Sequence, residues 1–181
     1  MDPQKIRAIF DSIDSLLFDD FKILKSTLNT SIKEDELLYF DSNFFGNLVV
    51  IKDDVTKSSN KGLWNKMSKK SCVYAFKAFG DAIIPNGISL HKGQNDRKIR
   101  TGQMVYVGKT ESALSRIHSH YSRNQSKSSL HLGYESNLKA ISKMYLFILK
   151  NEFSDYKKYI LETMEEYMHR ELKIAIGNSR K

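Results

Sequence analysis

Apolar residues recur three or four positions apart at the start of the chain, where Ile6, Ile9, Phe10, Ile13, Leu16 and Leu17 form one stripe. With Asp2 as N-cap and Pro3 at the first helical position, this spacing predicts an amphipathic helix to about Phe18, which residues 22–28 continue or repeat. Residues 33–39 are expected to form another short helical piece, and residues 47–51 read as a strand. From Ser71 the pattern changes to short β-rich runs. Cys72–Ala78 has the β-branched and aromatic content of a strand, and residues 104–108 form a second. Between them Gly80, Pro85-Asn86-Gly87 and Gly93 mark turns with a short hairpin. Thr110 can cap a helix running to about Ser122. A Ser-rich loop follows over 123–134, then a third strand over 143–149 and a long amphipathic helix over 155–172. This order predicts a small mixed α/β (α+β) layer over residues 71–181, with residues 79–103 as an insertion. Residues 1–70 precede it as a helical N-terminal arm with a basic linker.

Composition narrows the class. A chain of 181 residues with 40% apolar and 28% charged positions suits one soluble globular domain and is too apolar for a mainly disordered protein. The longest apolar run, residues 144–149, falls far short of the roughly 20 needed to span a bilayer, so no membrane partner is expected. Nothing at the N-terminus reads as an export signal, which gives a cytoplasmic expectation. The single cysteine, Cys72, excludes an intrachain disulfide framework and a cysteine-based zinc site.

The net charge of +8 is unevenly spread. Residues 1–41 hold five bases against nine acids, whereas residues 57–127 hold ten Lys and four Arg against Asp81, Asp96 and Glu111. Two runs dominate this basic block: 57–70, with five lysines around Trp64, and 92–100, with Lys92, Arg97, Lys98 and Arg100. Either run alone reads as a solvated loop. Together, and beside the motif below, they favour a nucleic-acid partner. Trp64 could stack on a base but is expected to anchor the arm.

The informative segment is Val105-Tyr106-Val107-Gly108-Lys109-Thr110 and the helix after it. Gly108-Lys109-Thr110 suggests a P-loop, but that motif needs a glycine where Gln103 stands. On the helix, Leu114, Ile117 and Tyr121 define a buried face. Arg116 and His120, four residues apart, share the other face and can converge on one phosphate, while His118 points elsewhere. A His-x-His pair does not easily ligate one metal on a helix.

These residues resemble the GIY-YIG nuclease family, in which two neighbouring strands each present a tyrosine and the next helix presents an arginine and often a histidine one turn later. Cys72-Val73-Tyr74 stands for the first signature and Tyr106-Val107-Gly108 for the second. The resemblance covers about residues 71–178 and implies a central three-stranded, mainly antiparallel sheet flanked by helices. The basic insertion between the first two strands departs from the simplest members. The family also places a metal-binding glutamate on a later helix. Here Glu162, Glu165, Glu166 and Glu171 are the candidates. Glu165 sits at the edge of the apolar stripe and best matches the family's context, which ends at Asn178, while Glu162 and Glu166 remain alternatives of register.

By this resemblance the chain is a divalent-metal-dependent DNA endonuclease, of restriction or other stand-alone type, hydrolysing phosphodiester bonds at specific sites. Mg²⁺ or Mn²⁺ would be held by Glu165. Tyr74 would help to activate the attacking water, Tyr106 would orient water or phosphate, and Arg116 would clamp the scissile phosphate. His120 would donate a hydrogen bond or share the base role. Lys92, Arg97, Lys98, Arg100, Lys109 and Arg123 are the expected DNA contacts. The N-terminal helices and the insertion would supply target recognition or the contacts of a homodimer on DNA. The rival reading is a non-catalytic nucleic-acid-binding module of the same fold.

Overall fold

A computed structural model describes residues 3–32, 36–56, 61–122, 130, 132 and 135–177. In chain order its elements are α1 (Pro3–Leu28), β1 (Glu36–Tyr39), β2 (Phe45–Ile51), α2 (Lys61–Met67), β3 (Cys72–Ala78), β4 (Ala82–Ile83) and β5 (Lys98–Ile99). Then come β6 (Met104–Thr110), α3 (Ala113–Tyr121), α4 (Ser136–Ile141), β7 (Ser142–Leu149), a 3₁₀ turn (Asn151–Tyr156) and α5 (Lys157–Glu171). The fold is α+β. Its main sheet has the order β1-β2-β7-β3-β6 with every neighbouring pair antiparallel, and β4 and β5 form a separate two-stranded ribbon.

The sheet therefore has five strands where three were expected. Residues 36–51, placed in the N-terminal arm with 47–51 alone read as a strand, are a hairpin that pairs with β7 and extends the same sheet. The short helix expected over 33–39 is a strand over Glu36–Tyr39, while residues 33–35 lie outside the described residues. Four residues gain more from a complete ladder along Asn47–Val50 than from one isolated helical turn.

Strands β3 and β7 are apolar almost throughout because both faces of the sheet are covered. On one face Cys72, Tyr74 and Phe76 pack with Ile51, Leu146, Ile117 and Tyr121, beneath α2 and α3. On the other, Val73, Ala75, Tyr145 and Phe147 pack beneath α1 and α5. Helix α1 contributes Leu17, Phe21, Leu24 and Leu28, each worth about 1.5–3 kcal/mol on burial. Leu63 and Met67 seat α2, whereas Trp64 is 41% exposed, so the apolar pair and not Trp64 is the anchor.

One acid breaks the apolar stripe of α1. Asp20 is fully buried and receives the Asn43 and Phe44 amides at 2.7 and 2.8 Å, the Ser42 hydroxyl at 3.0 Å and the Asn43 side-chain amide at 2.9 Å. It holds the β1–β2 turn on the helix. Lys77 on β3 likewise donates to the Leu28 carbonyl, a bond that satisfies the C-terminal end of α1.

Candidate functional site

Strands β3 and β6 pair so that Tyr74 faces Gly108 and Phe76 faces Tyr106. Both tyrosines project from one face, with ring centroids 6.3 Å apart and planes inclined by 28°. The Tyr74 ring lies across the β6 backbone. A Cβ at position 108 would stand 2.4 Å from the Tyr74 hydroxyl and 2.6 Å from its Cζ, which is the physical reason for glycine there. At the end of β6, the Thr110 hydroxyl accepts the Ser112 amide at 3.0 Å and so shapes the turn into α3. The helix starts at Ala113, whose amide is taken by the Lys70 carbonyl at 2.8 Å, so Thr110 holds this turn and does not cap the helix as expected.

Helix α3 brings Arg116 and His120 onto the tyrosines. Arg116 Nε donates to Tyr74 Oη at 2.6 Å, and Arg116 also hydrogen-bonds Tyr106. His120 Nε2 lies 3.2 Å from Tyr74 Oη, while its Nδ1 accepts the Leu130 amide at 2.9 Å. The His120 ring meets Phe76, Tyr74 and Tyr106 edge-on at 5.0, 5.3 and 5.6 Å. His120 was expected on an exposed face and is instead fully buried. Leu130 and Leu132 lie over the end of α3, where the Leu132 amide also bonds the His120 carbonyl at 2.8 Å. Tyr74 supplies the buried polar partner. Burial pushes the Tyr74 phenol well above its ordinary range, Tyr106 adds to the shift, and Arg116 opposes it. Burial also raises the Cys72 thiol and keeps it protonated and inert.

Glu165 comes from α5. Residues 174–176 run along the outer edge of β6, where Ala175 and Ile176 donate to the Met104 and Val105 carbonyls at 2.9 Å, and Leu90 pairs with Ile176 beyond them. Gly177 is pressed onto this rim, since a Cβ there would sit 2.9 Å from the Leu90 carbonyl oxygen. Between the rim and α5 runs a groove of about 440 Å³ lined by Glu162, Glu165, Glu166, His169, His91 and Lys92. Glu165 is half-buried there, and Glu162 and Glu166 are exposed. Glu162 pairs with Lys109 at 3.1 Å, which ties α5 to β6 and gives Lys109 a structural partner. The contacts just described join Tyr74, Tyr106, Arg116 and His120; Glu165 is not among the residues they join.

A hard divalent cation suits this donor set only as a mostly hydrated ion held by one or two carboxylates. Among the described residues no group of three or more His, Cys, Asp or Glu side chains could hold an ion by itself. One half-buried glutamate in an open groove meets the looser requirement.

The insertion divides its bases. Lys92, Lys98 and Arg100 are exposed, and Arg100 pairs with Asp96 at 3.1 Å. Arg97 donates to the Pro85 and Ile88 carbonyls at 2.7 and 3.1 Å and braces the loop from within. Lys92 and Arg100 join Arg170 and Lys173 around a second groove of about 750 Å³. Arg123 and Asn178 lie outside the described residues.

Sequence reasoning missed two pairings near the site. His118 Nδ1 lies 3.0 Å from the buried Asp54 carboxylate, which also receives the Thr56 amide and hydroxyl at 3.0 and 2.7 Å. The Asp54-Val55-Thr56 turn signal was present in the chain, but its histidine partner is 64 residues away. The Leu130 amide had no signal at all, because a backbone donor carries no residue identity. No helix among the described residues is long and apolar enough to cross a membrane. Comparison with protein-family models, curated proteins and solved structures gave no match.

Proposed function

We propose that the protein is a divalent-metal-dependent DNA endonuclease of GIY-YIG type, with the Tyr74–Tyr106–Arg116–His120 cluster as the catalytic centre. The observation that carries this reading is the meeting of strand β3 and helix α3 at one phenolic oxygen, with Arg116 at 2.6 Å and His120 at 3.2 Å from Tyr74 Oη. A fully buried tyrosine held by an arginine is an expensive arrangement for structure alone, because packing would be satisfied by phenylalanine. Arg116 offers a fixed cationic fork for phosphate, and Tyr106 a second hydroxyl beside it. Glu165 would hold Mg²⁺ or Mn²⁺, with Glu162 and Glu166 as alternatives on the same turn of α5. When bound, such a cation supplies charge stabilisation for the phosphate and the leaving oxygen. Lys92, Lys98 and Arg100 on the insertion would neutralise backbone phosphates and make binding fall steeply with salt.

The complete burial of Tyr74 favours a second reading, a non-catalytic DNA-binding module. One experiment separates the two: incubation with supercoiled plasmid and phage DNA in Mg²⁺ or EDTA, beside Glu165→Ala and Arg116→Ala. Mg²⁺-dependent discrete fragments lost in both variants support a site-specific nuclease. Salt-sensitive DNA retention without cutting, equal in all three proteins, would leave only the binding module.

A further inference from the structure

The polarity of the bonds around His120 decides what it can do for Tyr74. A backbone amide only donates, so the 2.9 Å contact from the Leu130 N–H requires a lone pair on His120 Nδ1. In a neutral imidazole the proton then sits on Nε2, the nitrogen 3.2 Å from Tyr74 Oη. A guanidinium also only donates, and Arg116 Nε lies 2.6 Å from the same oxygen. Two N–H groups therefore end on one phenolic oxygen. Neither has a lone pair with which to take the tyrosine's proton.

We infer that the Leu130 backbone amide fixes His120 as an Nε2–H donor, making His120 a positioning residue that stabilises charge on the Tyr74 oxygen and not a base toward it. The inference rests on the nuclease reading only for the use of Tyr74 in catalysis. The hydrogen-bond polarity is independent of it. Both donors strengthen as negative charge grows on Oη, so each favours the ionised oxygen over the neutral one.

The test needs no DNA. In protein carrying ¹⁵N-labelled histidine, the His120 ring, identified by its proximity to the Leu130 amide proton, should have a bare Nδ1 and a protonated Nε2 at neutral pH. Its Nε2–H proton should move in Tyr74→Phe. An Nδ1–H ring, a doubly protonated ring or an Nε2–H proton indifferent to Tyr74→Phe would overturn the inference. The same role predicts a rescue pattern in DNA cutting. The His120→Gln amide reaches the Nε2 position and should retain cutting within about tenfold, whereas His120→Asn stops short and should lose about a hundredfold. Equal loss in both would refute the donor role. A wild-type protein that never cuts defeats the nuclease reading and leaves the spectroscopic result to stand or fall separately.

Discussion

Gly108→Ala probes the site through a single methyl group. The new Cβ would lie 2.4 Å from Tyr74 Oη and 2.6 Å from Cζ, and ordinary contact begins near 3.4 Å, so the end of the ring must retreat by about 1 Å. Arg116 Nε sits 2.6 Å from that oxygen and cannot follow freely, because its helix is fixed by Ile117 and Tyr121 in the core. Overpacking of this kind costs about 1–3 kcal/mol, and loss of a hydrogen bond to a charged group about 1.5–3 kcal/mol. The two overlap, which gives about 2–4 kcal/mol in all. At a urea m-value of about 2 kcal/mol/M, the unfolding midpoint should fall by about 1–2 M. Cutting, where it is measured, should fall by about a hundredfold at temperatures where the variant is folded, because the hydroxyl is misplaced by about 1 Å. In a Tyr74→Phe background the nearest clashing atom is gone although Cζ remains. The cost of the alanine should therefore shrink by about 1 kcal/mol. A Gly108→Ala protein within about 0.5 kcal/mol of wild type, or a cost equal in both backgrounds, would refute the placement of the Tyr74 ring over β6.

Further consequences can be measured on the same preparations. Asp20→Ala removes the acceptor of the Asn43 amide and of the buried Phe44 amide and should cost about 2–4 kcal/mol in urea unfolding; a loss under about 1 kcal/mol would mean that the turn is held by other contacts. Arg116→Lys keeps the charge but not the fork, and should lower cutting about as far as Arg116→Ala, roughly 10²–10³-fold, so rescue by lysine would reduce the role of Arg116 to charge alone. The Tyr159 hydroxyl donates to Asp14 at 2.6 Å, and that bond is the main reason its pKa is raised to about 12 from 10.0. The folded state favours the protonated phenol, so this contribution is complete below pH 10 and is lost as pH rises toward 12. Tyr159→Phe should flatten the alkaline end of the stability profile, and an unchanged slope would count against the bond.

What the chain revealed and what it concealed follow from the range of the interactions. Strands β3, β6 and β7 were legible because both faces are covered, so their apolar runs are nearly unbroken. The long N-terminal helix and α5 were legible from periodicity. The strand over 47–51 was also read, but β1 and the hairpin's place in the sheet were not, because they depend on a register with β7, about 100 residues later, and on the buried Asp20 that clamps the turn. An acid at the i+3 position after Leu17 reads locally as solvent-facing. Only the ring of donors around it reverses that sign.

His120 fails for the same reason. A helical wheel counts neighbours on one helix and puts His120 beside Arg116, which is correct, but then assigns that face to water. The face is covered by Tyr74, from 46 residues earlier, and by Leu130, from 10 residues later. Both nitrogens of the imidazole are satisfied inside the protein, so its burial is not costly. The ordered residue types selected Tyr74, Tyr106, Arg116 and His120 as a set, yet the division of labour within the set depends on which group donates. A side-chain list treats histidine as a base by default. Here a main-chain N–H on its far nitrogen removes that option, and whether the near nitrogen carries a proton becomes the measurement on which the chemistry of Tyr74 turns.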